Sequence, residues 1–290
     1  MATMQGKICL ITGGTNGIGK IAALELARMG ATVVIIGRNP TKTAQVVAEI
    51  KAATGSTTVD SIIADLSSQA DIRHAASTFL ERYQHLHVLL NNAGVLNAKR
   101  ELSVDGIEMT FAVNHLAYFL LTTLLLDTIR ASAPARIINV ASGAHTLGKV
   151  DFSNLQGERS YRGMTAYSNS KLENVLFTIE LAHRLQGTGV TVNAIHPGFV
   201  NTGWGKTGSS MTARLLSLFG PVMGRTPEKG AATSIYLATS PEVASVTGKY
   251  FFDSKEKQTA KQATDLEAAG KLWEVSAMLV NRSDTAPASV

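Results

Sequence analysis

Short apolar runs alternate with longer segments in which apolar residues recur at helical spacing. Lys7–Thr12, Thr32–Ile36, Val59–Ile63, Val88–Asn91, Arg136–Ala141, Thr191–Ile195 and Tyr250–Phe252 read as strands. Helices are predicted between them, over Ile18–Met29, Thr41–Ala53, Gln69–Tyr83, Ile107–Arg130, Thr165–Leu185 and Pro227–Thr239. The strands ICLI, TVVII, VLL and RIINV are continuously apolar rather than alternating. Continuous runs indicate burial on both faces, which is the mark of a parallel sheet. The pattern therefore predicts an α/β chain, a doubly wound parallel sheet with helices on both faces.

No Pro/Ser-rich linker and no internal repeat interrupts the rhythm, so residues 1–280 are read as one domain with a frayed tail over 281–290. Two long connections stand out. Gly143–Met164 joins a strand to a helix, and Gly203–Arg225 reads as a substrate loop with a short helix near Met211–Phe219. The most apolar stretch, Phe111–Ile129, contains Asn114, His115 and Asp127. It reads as a core or interface helix, because a spanning helix wants ~20 residues with few or no charges.

Composition narrows the classes. A chain of 290 residues with 45% hydrophobic and 17% charged residues is neither disordered nor fibrous. The net charge of +5 comes from scattered Lys and Arg, with no basic run, so no nucleic-acid partner is expected. Cys9 is the only cysteine, which excludes an intrachain disulfide and suits a reducing compartment. The apolar run that starts the chain ends at the Thr12-Gly13-Gly14 turn, too short for a signal peptide. The expectation is a cytoplasmic protein with no membrane span.

The segment Thr12-Gly13-Gly14-Thr15-Asn16-Gly17-Ile18-Gly19 follows a strand and opens a helix. Glycines let a backbone turn sharply and approach a pyrophosphate closely. The helix N-terminus then offers N–H groups and a partial positive charge to the phosphates. Tyr167 and Lys171 are i and i+4 and share one helix face. Tyrosine, with a free pKa near ~10, is a poor base at neutral pH, and a nearby ammonium is expected to lower that value. Ser142 closes the fifth strand, at the sheet end where such folds bind ligands. Its hydroxyl can hold a carbonyl oxygen or a developing alkoxide against Tyr167, which moves the proton. His85 and His87 have no partner spaced to complete a zinc site, and no metal is assigned. His145 reads as a loop residue near the substrate, and His196 as packing.

The spacing Gly13-x-x-x-Gly17-x-Gly19 resembles the short-chain dehydrogenase/reductase family. Asn91-Asn92-Ala93-Gly94, Asn114, Ser142, Tyr167-x-x-x-Lys171 and Pro197-Gly198-Phe199-Val200-Asn201-Thr202 follow in the family's order, over about residues 5–255. The segments TGGTNGIGK, MTFAVNHLAYFLLT and AYSNSKLENVLFTIELAHRLQGTGVTVNAIHPGFVNT resemble the retinol dehydrogenase-like branch, near the WW-domain oxidoreductases. The resemblance implies a single-domain Rossmann fold. It implies that Ser142 orients substrate, Tyr167 is the acid/base, Lys171 binds the nicotinamide ribose, and Asn114 supports a water-linked proton path. It also implies cofactor contacts from Gly13, Thr15, Asn16, Gly17, Ile18, Gly19, Asn92, Ala93, Gly94, Pro197, Gly198, Val200 and Thr202, with Asp65 and Leu66 against adenine.

Cofactor choice is readable from the second strand. NAD selection uses an acidic residue at its end, whereas this strand ends Ile35-Ile36-Gly37-Arg38-Asn39. Arg38 can pair with a 2′-phosphate, so NADP (NADPH) is expected. The expected function is hydride transfer between NADP(H) and a lipophilic aldehyde, ketone or alcohol, as in a carbonyl reductase. An isomerase or dehydratase on the same fold, and an NADP(H)-sensing binding protein, are the alternatives. In the family the helices matching Ile107–Arg130 and Thr165–Leu185 often pair across a two-fold axis. Phe119, Leu120, Leu124, Leu125, Leu172, Val175, Leu176 and Ile179 suggest such a homodimer; a monomer, with both helices packed on their own sheet, is the alternative.

Overall fold

The computed structural model describes residues 3–199 and 225–280. Among them the chain runs β1 (Ile8–Thr12), α1 (Gly17–Arg28), β2 (Thr32–Gly37), α2 (Pro40–Thr54), β3 (Val59–Ile63), α3 (Gln69–Arg82) and β4 (Val88–Asn91). Next come α4 (Met109–Ala131), β5 (Ala135–Val140), α5 (Gly163–Arg184), β6 (Val190–His196), α6 (Pro227–Thr239), β7 (Tyr250–Phe252), β8 (Lys255–Lys257) and α7 (Leu266–Leu279). The strands form one sheet in the order β3-β2-β1-β4-β5-β6-β7-β8. β1 to β7 are parallel, and β8 returns antiparallel to β7. The order reverses between β1 and β4, which opens a crevice outside the C-terminal ends of the strands.

The continuous apolar runs serve both faces, as expected for period-2 side chains. Leu10, Val34, Ile36, Leu89 and Ile137 point to one face, under α3, α4, α5 and α7. Cys9, Ile11, Val33, Ile35, Leu90 and Ile138 point to the other, under α1, α2 and α6. Burial pushes the Cys9 thiol up to about 12, so it is an unreactive core residue. Local signals start the helices: Asn39 caps α2 ahead of Pro40, Ser68 caps α3, and Thr226 caps α6 ahead of Pro227. α4 is long and apolar enough to cross a membrane, but 83% of its most apolar window is buried within the protein.

Two elements go beyond the sequence reading. β8 is a charged edge strand, joined to β7 through Asp253 and Ser254, both at positive φ. α7 lies over the seam between α4 and α5. Trp273 sits 4.8 Å from Phe119 and 6.0 Å from Phe177, ring centre to ring centre, with the Arg184 guanidinium 4.1 Å above it. This placement covers much of the apolar seam on which the sequence argument for a homodimer rested. Phe119, Leu120, Leu125, Leu172, Val175 and Leu176 are buried within their own chain, and only Leu124 and Ile179 are half-buried.

Candidate active site

The site lies at the C-terminal ends of β1, β4, β5 and β6. The turn after β1 is tight. Gly13 and Gly17 adopt positive φ, 66° and 49°. A Cβ on Gly19 would stand 2.4 Å from the Gly13 carbonyl oxygen and 2.5 Å from Asn92 Nδ2. Only a hydrogen fits there, so the turn closes directly onto the start of α1. Thr15 lies against the end of β2, where a Cβ on Gly37 would meet its methyl at 2.6 Å. The Asn16 side chain does not cap α1, and no acidic residue lies in the first turn. This glycine cradle at a helix N-terminus, with Ile18 in the first turn, fits a pyrophosphate.

Asn92 and Ala93 brace the cradle. The Asn92 side-chain amide donates to the Thr12 carbonyl at 2.9 Å and to the Gly13 carbonyl at 3.3 Å. Thr12 Oγ1 accepts from the backbone N–H groups of Asn92 and Ala93 at 2.8 and 3.0 Å. Tyr118 on α4 donates to the Ala93 carbonyl at 2.8 Å. The side chain of Asn92, a residue predicted to contact the cofactor, thus braces the cradle. Thr12 and Tyr118 are residues that sequence reasoning missed, since their partners lie about 25 to 80 positions away in the chain. Gly94 continues the same strand end, half-buried.

Arg38 follows β2 and is exposed, its guanidinium 3.7 Å from Asp65 at the end of β3. Asp65 Oδ1 accepts from the backbone and hydroxyl of Ser67, and Leu66 packs half-buried against the core. Asn39 caps α2, and the carboxylate beside Arg38 comes from Asp65, beyond β3, not from β2 itself. Pro197 and Gly198 follow β6, with Gly198 at φ 82°. Val200, Thr202 and the expected substrate loop before Arg225 lie outside the described residues.

Ser142, Tyr167 and Lys171 converge beyond β5. The side chains of Ser142 and Tyr167 are hydrogen-bonded to each other. The Lys171 ammonium is buried, donates to the Val140 carbonyl at 3.0 Å, and stands 5.6 Å from the Tyr167 ring centre. Burial pushes the Tyr167 phenol up to about 12, with the Ser142 hydrogen bond acting the other way. Burial pulls Lys171 down to about 7. The expectation that Lys171 depresses Tyr167 is thus corrected. Desolvation by burial dominates at the phenol, and the Lys171 ammonium donates to the Val140 carbonyl. In this state Tyr167 holds its proton at neutral pH and is an acid.

Asn114 occupies a π turn within α4, at Ala112–Leu116, where the Ala117 N–H reaches back to the Ala112 carbonyl. Its side-chain oxygen accepts from Val95 N–H at 2.7 Å, and its amide donates to Val95 O at 3.0 Å and Ser170 Oγ at 2.9 Å. Ser170 in turn donates to the Tyr167 carbonyl at 2.8 Å. Asn114 ties the strand end after β4 to the helix that carries Tyr167.

A family profile for short chain dehydrogenase matches residues 7–212. Human retinol dehydrogenase 13 is 44% identical over 284 residues, covering 96% of this chain and 86% of its own. A crystal structure of an uncharacterised Mycobacterium paratuberculosis protein superposes with a TM-score of 0.79 at 27% identity, over 98% of this chain and 97% of the other. A short chain dehydrogenase from Burkholderia cenocepacia J2315, solved in complex with NADP, gives a TM-score of 0.69 at 28% identity, over 86% and 96%. The profile, the retinol dehydrogenase relative and the geometry agree: this chain belongs to the short-chain dehydrogenase family of oxidoreductases, in its retinol dehydrogenase-like branch.

Proposed function

We propose that the protein is an NADP(H)-dependent oxidoreductase that interconverts a lipophilic carbonyl compound and its alcohol. The observation that carries the reading is the Ser142–Tyr167 hydrogen bond, with Lys171 behind it, at the strand ends beside the glycine cradle. The Burkholderia relative solved with NADP supports the cofactor, as does Arg38 after a strand β2 that carries no acidic residue of its own. The turn Gly13–Gly19 and the N-terminus of α1 would hold the pyrophosphate, and Arg38 the 2′-phosphate. Bound nicotinamide supplies or accepts the hydride.

The chain's own residues do the rest. Ser142 hydrogen-bonds the substrate oxygen and holds it against Tyr167. Tyr167, a phenol at neutral pH, donates its proton to that oxygen as the carbonyl is reduced, and takes it back in the reverse direction. Lys171 keeps one N–H on Val140, with its nitrogen 5.6 Å from the Tyr167 ring centre. Leu96, Leu147, Met164 and Phe199 are exposed on the segments that rim these strand ends, which supports an apolar substrate.

The test is NADPH consumption against nonanal, acetophenone and all-trans-retinal, with NADH in parallel. The proposal expects turnover of at least one carbonyl with a preference for NADPH. Tight NADPH binding with no turnover of any of them would overturn it.

A further inference from the structure

Two histidines that the reaction does not use flank the peptide bond that follows Ser142. The Ser142 carbonyl receives His145 Nδ1 at 2.7 Å, and the next N–H, that of Gly143, donates to His196 Nδ1 at 3.0 Å. These are the two polar groups of one planar peptide unit. A carbonyl only accepts, so His145 carries its proton on Nδ1, and its Nε2 accepts from Ala260 N–H at 3.3 Å. His196 is the opposite tautomer, because Nδ1 accepts from Gly143 and also from Gly198 N–H at 3.2 Å. One imidazole therefore joins the Ser142 loop to the Pro197-Gly198 loop.

The rings are held from behind by one face of β7. Tyr250 stands 4.7 Å from His145 and Phe252 4.8 Å from His196, ring centre to ring centre. Gly143 is needed for the fit, since a Cβ there would lie 3.1 Å from His196 Nε2. Both rings are kept neutral. Burial lowers His145, and burial, His145 and Arg225 together lower His196 to about 4, against the opposing pull of Asp253. A proton on either acceptor nitrogen would turn it against a backbone N–H.

We propose that His145 and His196 are positioning residues of the reaction, gripping in complementary tautomers the two ends of the Ser142–Gly143 peptide unit and so fixing the direction of the Ser142 hydroxyl. His196 has the further task of holding the backbone of Gly198, just beyond β6. The proposal rests on the reading of Ser142 as the substrate-orienting hydroxyl.

The two assignments separate in three measurements on the full chain. The first is the ring-nitrogen 15N spectrum of histidine-labelled protein at neutral pH. It is expected to show one histidine protonated at Nδ1 that His145→Phe removes, and one protonated at Nε2 that His196→Asn removes. Either histidine found in the other tautomer overturns the clamp, whatever the enzyme does. The second is NADPH binding by fluorescence. His196→Ala is expected to weaken it roughly five-fold, the scale of one lost hydrogen bond, while His145→Phe leaves it unchanged. The third is turnover of the best carbonyl of the panel. Both variants are expected to lose about 10- to 100-fold in kcat with thermal unfolding near that of wild type, since small misplacement of a reacting group costs on that scale. His196→Asn, which keeps an acceptor, is expected to restore much of the loss. Folded His145→Phe and His196→Ala proteins with kcat within two-fold of wild type overturn the proposal. Wild type that turns over no carbonyl overturns the functional reading instead, and leaves the clamp to be judged by the ring nitrogens and NADPH binding.

Discussion

Glu173 is a buried carboxyl on α5, two residues beyond Lys171, and its Oε2 has no hydrogen-bond partner among the described residues. Burial, reinforced by the neighbouring Glu108 carboxylate, pushes it up to about 8. An unfolded-chain glutamate titrates near ~4.3. Between these values the folded protein keeps a proton that the unfolded chain has released. The folded value is raised, so stability is fully present below the unfolded value and falls as pH rises toward 8. The slope for one proton is about 1.4 kcal/mol per pH unit, or about 3 kcal/mol from pH 5 to 7.5. Glu173→Gln keeps the shape and a hydrogen but cannot ionise. Urea unfolding of both proteins at pH 5, 6, 7 and 7.5 is the assay. The curves are expected to start close together at pH 5 and diverge, the variant being more stable by about 3 kcal/mol at the upper end. Buried His115, lowered to about 3, and His196, lowered to about 4, give the opposite trend below the ordinary histidine range. They are present in both proteins and cancel in the difference. Parallel stability curves across the window would refute the burial argument for Glu173.

Three further outcomes follow from the site. Tyr167→Phe should lose ~100- to 10,000-fold in kcat while keeping NADPH affinity, and near-normal turnover would remove Tyr167 from the chemistry. Arg38→Asp replaces the exposed guanidinium with a repulsive carboxylate and should reverse the NADPH/NADH ratio of kcat/KM; an unchanged ratio would make Arg38 a bystander. Gly19→Ala forces a methyl group onto the Gly13 carbonyl, so it should destabilise by ~1–3 kcal/mol in urea unfolding and weaken NADPH binding by titration, and a neutral substitution would mean that the turn is looser than its geometry.

Sequence legibility followed the range of the interactions. The parallel sheet was readable because each strand states its burial on both faces within five or six residues. Tyr167 and Lys171 were readable because a helix brings i and i+4 together. The bracing role of Asn92, the Thr12 hydroxyl and the histidine pair were not, because each depends on a backbone group brought near by folding, 53 to 115 positions away for the histidines. The π turn at Asn114 was invisible for the same reason: Val95 holds it from 19 residues away. β8 has no apolar signal at all, being Lys-Glu-Lys, and is placed by the turn at Asp253–Ser254. α7 did carry a signal, with Asp265 as cap and Ala269, Leu272, Trp273, Ser276 and Ala277 on one face. What the sequence did not show was its destination, and that destination decides whether the apolar seam of α4 and α5 is covered by the same chain.

Burial of α5 explains the site's electrostatics as one arrangement. Lys171, pulled down to about 7, and Glu173, pushed up to about 8, bring a lysine and a glutamate to nearly the same pH from opposite sides. At neutral pH this stretch of helix therefore carries little net charge, and it can pack against β5 without a fully ionised group in its core. Tyr167, one turn before Lys171, is pushed the same way as Glu173 and stays a phenol. The polar demands that remain are met by fixed neutral partners: Val140 O for Lys171, Ser142 for Tyr167, and the two histidines for the peptide behind Ser142. A site assembled in this way holds a proton on Tyr167 and aims it through neutral hydrogen bonds.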